Sequence, residues 1–271
     1  MIDSILKNKI VRRIIFSLKL LLNKIPFIWN NCKREEMFKQ LSNTPIENIP
    51  IFIISFNRLS YLREQINNFE KHGLFNLIII DNGSTYPPLL DYYKSIPYKV
   101  IYNNANDGHL VFWKNSSYSM YRQNFYIVTD PDILLIPECP NDFINELITT
   151  LRKYRFANKV GLSLKIDDIP NDTVFGNDVI KWESDYYKVK LKEKPIYYAP
   201  IDTTFALYLP DSISRKNFYC ALRLGFPYQA QHLPWYKKKD DITDEDIFYS
   251  QQKTNGWWNP TANKMTPDKK S

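Results

Sequence analysis

Short apolar runs alternate with segments of helical spacing along the first half of the chain. The runs are bounded by Pro, Gly, Asn or Asp residues, which is typical of strands buried on both faces of a parallel sheet. They occupy residues 50–57, 77–84, 99–103 and 125–132. Helical spacing or helix-start signals are found in the intervening segments 58–72, 87–93 and 110–122. Strands that alternate with helices predict an α/β fold with a mostly parallel sheet, flanking helices and right-handed crossovers.

The second half of the chain has a less regular pattern. Residues 143–154 have the spacing of an amphipathic helix, and residues 160–166 fit another strand. Residues 167–185 are rich in carboxylates and aromatic residues and are predicted to be mostly loop. A run of apolar residues after Asp202 fits one more strand, and Thr243 is expected to cap a short helix with an acidic first turn.

Residues 5–28 have helical spacing, with apolar residues in one arc of the helix and basic residues on the opposite side. The apolar arc consists of Ile10, Val11, Ile14, Ile15, Leu18, Leu21, Leu22 and Ile25. Phe16 and Leu20 fall outside this arc. Such a helix can lie on an anionic membrane surface, or it can dock on its own domain or on a partner subunit. The apolar runs are too short and too often interrupted by charge to span a bilayer, and no signal-peptide cleavage site follows them.

The net charge of +7 belongs to the N-terminal arm. Residues 1–34 hold eight of the 36 basic residues and one of the 29 acidic residues, so the remainder of the chain is neutral. A nucleic-acid-binding function is therefore not expected, because it needs a basic patch on the folded surface. Cys32, Cys139 and Cys220 have neither zinc-site spacing nor a disulfide pattern, which favours a cytoplasmic protein.

Each of the four strands in the first half ends in a carboxamide or a carboxylate. These residues are Asn57, Asp81, Asn106 with Asp107, and Asp130 with Asp132. Parallel strands bring their carboxyl ends to one edge of the sheet, where ligands bind in open α/β folds. The two carboxylates of Asp130-Pro131-Asp132 would suit Mg²⁺ or Mn²⁺. The alternative is that the strands simply end in residues that favour turns.

Residues 50–136 resemble the nucleotide-sugar-binding half of GT-A glycosyltransferases, most closely those of glycosyltransferase family 2. The matching segments are Ile53-Ile54-Ser55-Phe56-Asn57-Arg58, Ile79-Ile80-Asp81-Asn82-Gly83-Ser84, Asn106-Asp107-Gly108 and Thr129-Asp130-Pro131-Asp132. They follow the order and spacing of that family over about a third of the chain. Two departures are Asn82-Gly83 before Ser84 and the lack of an obvious downstream Glu-Asp pair.

The resemblance implies a GT-A (Rossmann-like) fold and a role for each matching residue. The nucleotide-sugar site would comprise Ser55, Asn57, Arg58, Asp81, Asn82, Asn106, Asp107 and Asp130. Asp132 would hold the metal directly, with Asp130 beside it. His232 would complete the metal site, as a histidine from the C-terminal part does in many GT-A enzymes. A purely structural role for His232 stays open, and His109 is a weaker rival.

The general base is expected among the carboxylates of the second half. Asp202 stands between an aromatic run and a strand, and we expect it to be half-buried there. A carboxylate in such a position can take a proton from an acceptor hydroxyl. The alternative is a turn residue bonded to the amides that follow it. Asp244 and Glu245 are the rival bases.

By resemblance, the protein would be a metal-dependent (Mn²⁺ or Mg²⁺) hexosyl- or N-acetylhexosaminyltransferase. It would move a sugar from a UDP-sugar to a glycan or lipid-linked glycan, with inversion, in bacterial capsule or lipopolysaccharide biosynthesis. Residues 1–45 would hold it on the inner face of the cell membrane. Residues 46–265 would form one catalytic domain with halves 46–136 and 137–265, and residues 266–271 a disordered tail. The alternatives are a non-catalytic membrane-associated binding module and a sugar-1-phosphate nucleotidyltransferase.

Overall fold

The structure is a computed structural model that describes residues 9–23, 32–191, 194–213 and 221–252. The predicted tail at 266–271 lies outside these residues, as do both ends of the predicted helix 5–28. The helices are α1 Lys9–Asn23, α2 Cys32–Ser42, α3 Leu59–Lys71, α4 Pro87–Tyr93, α5 Val111–Lys114, α6 Phe143–Lys153, α7 Gly176–Glu183 and α8 Asp244–Ser250. The strands are β1 Ile51–Ser55, β2 Leu77–Asp81, β3 Lys99–Tyr102, β4 Tyr126–Thr129, β5 Ile133–Leu135, β6 Lys159–Leu164, β7 Ile196–Tyr198, β8 Ala206–Tyr208 and β9 Ala221–His232.

The described strands form one mixed sheet in the order β3-β2-β1-β4-β8-β6-β9-β5, with β7 paired to β9. Strands β1 to β4 are parallel, while β8 runs antiparallel to both β4 and β6. The predicted α/β class, with helices flanking a mostly parallel sheet, is confirmed. The parallel order β3-β2-β1-β4 is compatible with a Rossmann-like fold.

Both faces of the sheet are covered, which explains the continuous apolar runs of its central strands. Ile51 and Ile53 of β1 point into the larger core cluster, while Phe52 and Ile54 point into the smaller cluster on the other face. Phe38 of α2 is buried in the larger cluster. The segment between α1 and β1 therefore contributes a helix to the core.

Two segments differ from their predicted structure. The helix predicted at 110–122 is α-helical only as far as Lys114 and continues as a 3-10 helix over Ser116–Gln123. The side chain of Asn115 accepts a hydrogen bond from the Ser117 amide, a local bond that competes with a regular helix. Helix α7 forms within the stretch predicted to be loop, because Val179 and Glu183 are buried against the domain.

Helix α1 packs on the domain through a side that lies outside the predicted apolar arc. Phe16, one of the two residues outside the predicted apolar arc, is buried and stacks on Tyr198 of β7 at 5.1 Å between ring centroids. The Arg12 guanidinium donates a hydrogen bond to the main-chain oxygen of Asp185. Specific aromatic and hydrogen-bonding partners therefore decide which side of this helix is buried. Among the described helices, none combines the length and the apolar character needed to cross a membrane.

The close packing at Gly161 in β6 provides a test of this architecture. A Cβ atom at this position would lie 2.6 Å from the Phe205 main-chain oxygen and 2.8 Å from the Ala206 Cβ atom. The Phe205 oxygen is itself held by a hydrogen bond from the Leu162 amide (3.1 Å). We expect Gly161→Ala to lower the free energy of unfolding by about 1–3 kcal/mol, because the sheet must shift to accept the methyl group. Urea unfolding measures this loss.

Gly176→Ala is the matched control. The nearest atom to its added Cβ would be the hydroxyl oxygen of the Thr173 side chain at 3.2 Å. This oxygen, which accepts a hydrogen bond from the Gly176 amide, needs to move by only a few tenths of an ångström, so we expect a change within about 0.5 kcal/mol. Equal losses in the two variants would contradict the account of packing around β6.

Candidate functional site

The turn after β4 carries the two carboxylates of the Asp-Pro-Asp motif. The side-chain amide of Gln65 in α3 donates hydrogen bonds to the main-chain oxygens of Asp130 (2.6 Å) and Ile133 (2.8 Å), one on each side of the turn. Gln65 is fully buried. Because both carbonyl groups receive a partner, the chain can turn at this buried position without leaving them unsatisfied.

His232 is brought to Asp132 by the pairing of β5 with β9. In this antiparallel ladder Ile133 is opposite His232, so the residue before Ile133 lies beside the histidine ring. The His232 Nε2 and the Asp132 Oδ2 are 3.5 Å apart. The Leu233 amide also donates a hydrogen bond to the Asp132 main-chain oxygen (2.9 Å). The structure thus places together two residues that are 100 positions apart in the sequence.

The surroundings of this turn shift the pKa values of Asp130 and His232. Burial, followed by the nearby Asp132 carboxylate, raises the pKa of Asp130 well above its usual value, although Thr203 donates a hydrogen bond to its Oδ2 (2.7 Å). Burial lowers the pKa of His232 below 6.5, although Asp132 acts in the opposite direction. His232 is therefore neutral at pH 7, which is the form of imidazole that binds metals.

The pair of Asp132 and His232 fits a divalent cation that is shared with a phosphate ligand. The Oδ1 atom of Asp132 is buried and has no hydrogen-bond partner among the described residues. Such an orphaned carboxylate oxygen is costly unless a ligand satisfies it. The described residues contain no group of three or more His, Cys, Asp or Glu residues arranged to hold a metal. Mg²⁺ and Mn²⁺ sites of the phosphate-binding type need only one or two protein carboxylates, since phosphates and water complete the shell.

Asp202 lies at the same edge but is exposed, so the prediction that it is half-buried is wrong. Its side chain is 55% exposed, and its Oδ1 lies 3.5 Å from the His109 Nε2. Its main-chain oxygen accepts a hydrogen bond from the Tyr208 hydroxyl (3.1 Å). The buried Lys159 ammonium group donates a hydrogen bond to the oxygen of the preceding residue, Ile201 (2.7 Å). These bonds hold the main chain of the loop and leave the carboxylate facing outward.

The ends of β1 and β2 are joined by hydrogen bonds of residues predicted to bind the nucleotide. Asn57 has a positive φ of 50°, an uncommon conformation that asparagine tolerates better than most residues. Its side-chain oxygen accepts hydrogen bonds from the amides of Thr85 (2.7 Å) and Tyr86 (2.9 Å). The buried Ser55 hydroxyl accepts a hydrogen bond from Tyr93 (3.0 Å). Asn57 and Ser55 therefore shape this edge from within.

Asp81 and Asn82 hold the next loop. Burial raises the pKa of Asp81, although hydrogen bonds from Ser84 and Tyr93 act in the opposite direction. The side-chain NH₂ group of Asn82 donates a hydrogen bond to the side-chain oxygen of Asn106 (2.9 Å). The side-chain oxygen of Asn82 accepts a hydrogen bond from the main-chain amide of Asp107 (3.1 Å). The side chains of Asn106 and Asp107 are exposed at the edge of the sheet. The two matching segments at 81–84 and 106–108 thus form one connected structure.

Helix α8 lies against the start of α3 and engages Arg58. The Arg58 guanidinium pairs with the Asp246 carboxylate at 2.6 Å and lies 3.8 Å above the Tyr249 ring. Glu245 accepts hydrogen bonds from the amides of Leu59 (2.9 Å) and Ser60 (2.9 Å), so it acts as an N-terminal cap of α3. Of the two rival bases, Glu245 is thus occupied by the α3 terminus, while Asp244 is exposed in the first turn of α8.

Gln65 and Lys159 support the site without belonging to a motif, and neither is among the residues predicted from the sequence. Gln65 does leave a signal, because it occupies a position on the apolar side of α3 between Leu62 and Phe69, where a polar residue is unexpected. Lys159 leaves none, because its position at the start of a strand does not reveal that it is fully buried.

No family model matches the chain, and a comparison with curated protein sequences finds no match.

Asp246 provides a pH-dependent test of the contact between α8 and the sheet edge. Burial opposes its ionisation, but hydrogen bonds from Lys237, Thr243 and Arg58 outweigh burial and lower its pKa to about 2. The unfolded value is about 3.9. Ionised Asp246 therefore stabilises the fold above about pH 4, and this contribution is lost as the pH falls towards about 2.

We expect Asp246→Asn to destabilise the protein at neutral pH and to remove about 2–3 kcal/mol of the acid-dependent loss of stability. Urea unfolding of both proteins between neutral and acidic pH measures this difference. Asp178→Asn, at an exposed carboxylate of α7, is the matched control and should follow the wild-type curve. Parallel curves for wild type and Asp246→Asn would show that the carboxylate does not make this contribution.

Proposed function

We propose that the protein is a metal-dependent glycosyltransferase of the GT-A type that transfers a sugar from a nucleotide-sugar, with UDP favoured, to a hydroxyl of a glycan or lipid-linked glycan. One observation carries this proposal. The Asp132 carboxylate has one oxygen 3.5 Å from His232 and the other buried without a hydrogen-bond partner among the described residues. This pair stands beside the carboxyl ends of the parallel strands β1 to β4. Phosphate-containing ligands bind at this edge in α/β folds.

The donor would bind along the ends of β1, β2 and β4. Asn106 and Asp107 offer exposed hydrogen-bonding groups, and Asn82 holds them in place from the loop after β2. Asp81 would contact the ribose or the base. Arg58 is already paired with Asp246, so its contribution would be to hold the α3 terminus unless α8 moves.

Asp132 and His232 would hold Mn²⁺ or Mg²⁺ together with the donor diphosphate. When bound, the ion would supply positive charge beside the departing diphosphate. Gln65 would keep the carboxylate turn in position through its two hydrogen bonds to the main chain. Asp130 would remain bonded to Thr203, which connects the turn to the loop that carries Asp202.

Asp202 would accept the proton of the acceptor hydroxyl. Its carboxylate is exposed at the edge, where an acceptor can reach it, and His109 lies within 3.5 Å to orient it. Attack by that hydroxyl from the face opposite the leaving group would invert the anomeric centre. An exposed base suits an acceptor that is either dissolved or part of a membrane-borne glycan.

The metal and donor site can be tested by calorimetric titration of the protein with UDP, GDP and CMP, with and without Mn²⁺. We expect UDP to bind only with Mn²⁺. Asp132→Asn should weaken binding by more than about 100-fold, because even indirect partners of a metal ligand change affinity by about 10- to 100-fold. The result does not depend on an acceptor or on turnover.

Glu36→Gln is the matched control for this change from carboxylate to carboxamide. Glu36 is exposed on α2, away from the site. This helix is held by Arg34, which donates hydrogen bonds to the main-chain oxygens of Leu151 in α6 (2.6 Å) and of Ala157 before β6 (3.2 Å). Its titration should equal that of the wild type. Failure of every nucleotide to bind to folded wild-type protein would refute the transferase proposal.

Asp202→Asn tests the assignment of the base. We expect donor hydrolysis, followed across a panel of UDP-sugars, to fall by about 10²- to 10⁴-fold, the usual contribution of a general base. The affinity for UDP and Mn²⁺ should stay unchanged, because Asp202 does not hold the donor. If this variant hydrolyses the donor at the wild-type rate, Asp202 is not the base and is only a turn residue. A protein that binds UDP but hydrolyses no donor and transfers no sugar would instead be a binding module.

A further inference from the structure

Helix α1 is attached to the domain near both of its ends. Near its start, Arg12 bonds to the Asp185 main-chain oxygen, and in the middle Phe16 stacks on Tyr198. At its last residue, the Asn23 side chain donates to the Lys153 oxygen (3.0 Å) and accepts from the Arg155 amide (2.9 Å). These contacts fix the rotation of the helix about its own axis, so the same side always faces away from the domain.

The side that faces away is aliphatic. Ile14, Leu18 and Leu21 are 55%, 54% and 59% exposed, and Ile10, one turn before Ile14, is 68% exposed. Their spacing of four, four and three residues places them in one stripe along the helix. Scattered exposed aliphatic residues are ordinary, but a continuous stripe of them marks an interaction surface.

Cations flank this outward stripe. Lys9 and Arg13 are exposed beside it, and Arg13 shares a groove of about 230 Å³ with Lys188 and Lys190 of the domain. Lys188 also pairs with Asp185. The sequence adds to this bias, because residues 1–34 carry eight basic residues and one acidic residue. An aliphatic stripe with a basic border matches the boundary between acyl chains and anionic headgroups.

We propose that the outward stripe of α1 inserts into the surface of an anionic bilayer while the opposite side of the helix stays docked on the domain. The helix would lie in the plane of the membrane, because the exposed stripe runs along its length and the opposite side is bonded to the domain. A second copy of the chain is a poorer occupant. A symmetric contact through this stripe would bring together two N-terminal segments that each carry eight basic residues and one acidic residue.

The test is co-sedimentation of the full chain with vesicles of phosphatidylcholine alone and of phosphatidylcholine with phosphatidylglycerol. We expect binding to the anionic vesicles that weakens as salt is added. Substituting Ile14, Leu18 and Leu21 together by Gln should reduce the partition coefficient by more than about 100-fold, because three aliphatic side chains no longer leave water. The variant should melt like the wild type, because these side chains are exposed.

A matched control replaces exposed apolar residues elsewhere, Phe75 and Met120, by Gln. This control should bind anionic vesicles as the wild type does. Absence of wild-type binding, equal binding by the stripe variant, or equal binding to neutral vesicles would each overturn the proposal. A wild-type dimer that the stripe variant converts to a monomer, without vesicle binding, would assign the stripe to contacts between copies. Nucleotide titration needs no vesicles, so this proposal and the proposed function can fail separately.

Discussion

The candidate site depends on two carbonyl groups in the turn between β4 and β5, both of which accept a hydrogen bond from the buried Gln65 side chain. The chain turns between β4 and β5 in the interior, where the main-chain oxygens of Asp130 and Ile133 would each cost about 1–3 kcal/mol without a partner. Gln65 supplies a hydrogen bond to both. With this turn held, β5 can pair with β9, and that pairing sets His232 beside Asp132.

The carboxylates at the sheet edge divide into those with protein partners and those that remain available. Asp246 pairs with Arg58, and Glu245 accepts hydrogen bonds from the amides at the start of α3, so both carboxylates hold α8 against α3. Asp132 keeps a buried oxygen without a described partner, and Asp202 is exposed beside His109. This difference in electrostatic environment, more than the residue types, separates structural carboxylates from candidates for chemistry.

Much of the first half could be predicted because its signals are local. Apolar runs of strand length, bounded by turn formers, placed β1 to β4 within a few residues of their observed limits. The second half was harder, because β7 and β8 are only three residues long and pair with strands distant in the sequence. Helix α7 is an example, since it depends on the burial of Val179 and Glu183 and not on a long periodic pattern.

The sequence alone determined that an Asp-Pro-Asp motif follows a buried strand and that α1 has an aliphatic side, because both follow from the order of neighbouring residues. Only the tertiary structure decided that Asp202 is exposed, that Glu245 caps α3, and that α1 packs on the domain through Phe16. Each of these outcomes depends on a partner far along the chain. Local propensity contains no information about such partners, since packing and hydrogen bonding choose among surfaces that the sequence leaves equivalent.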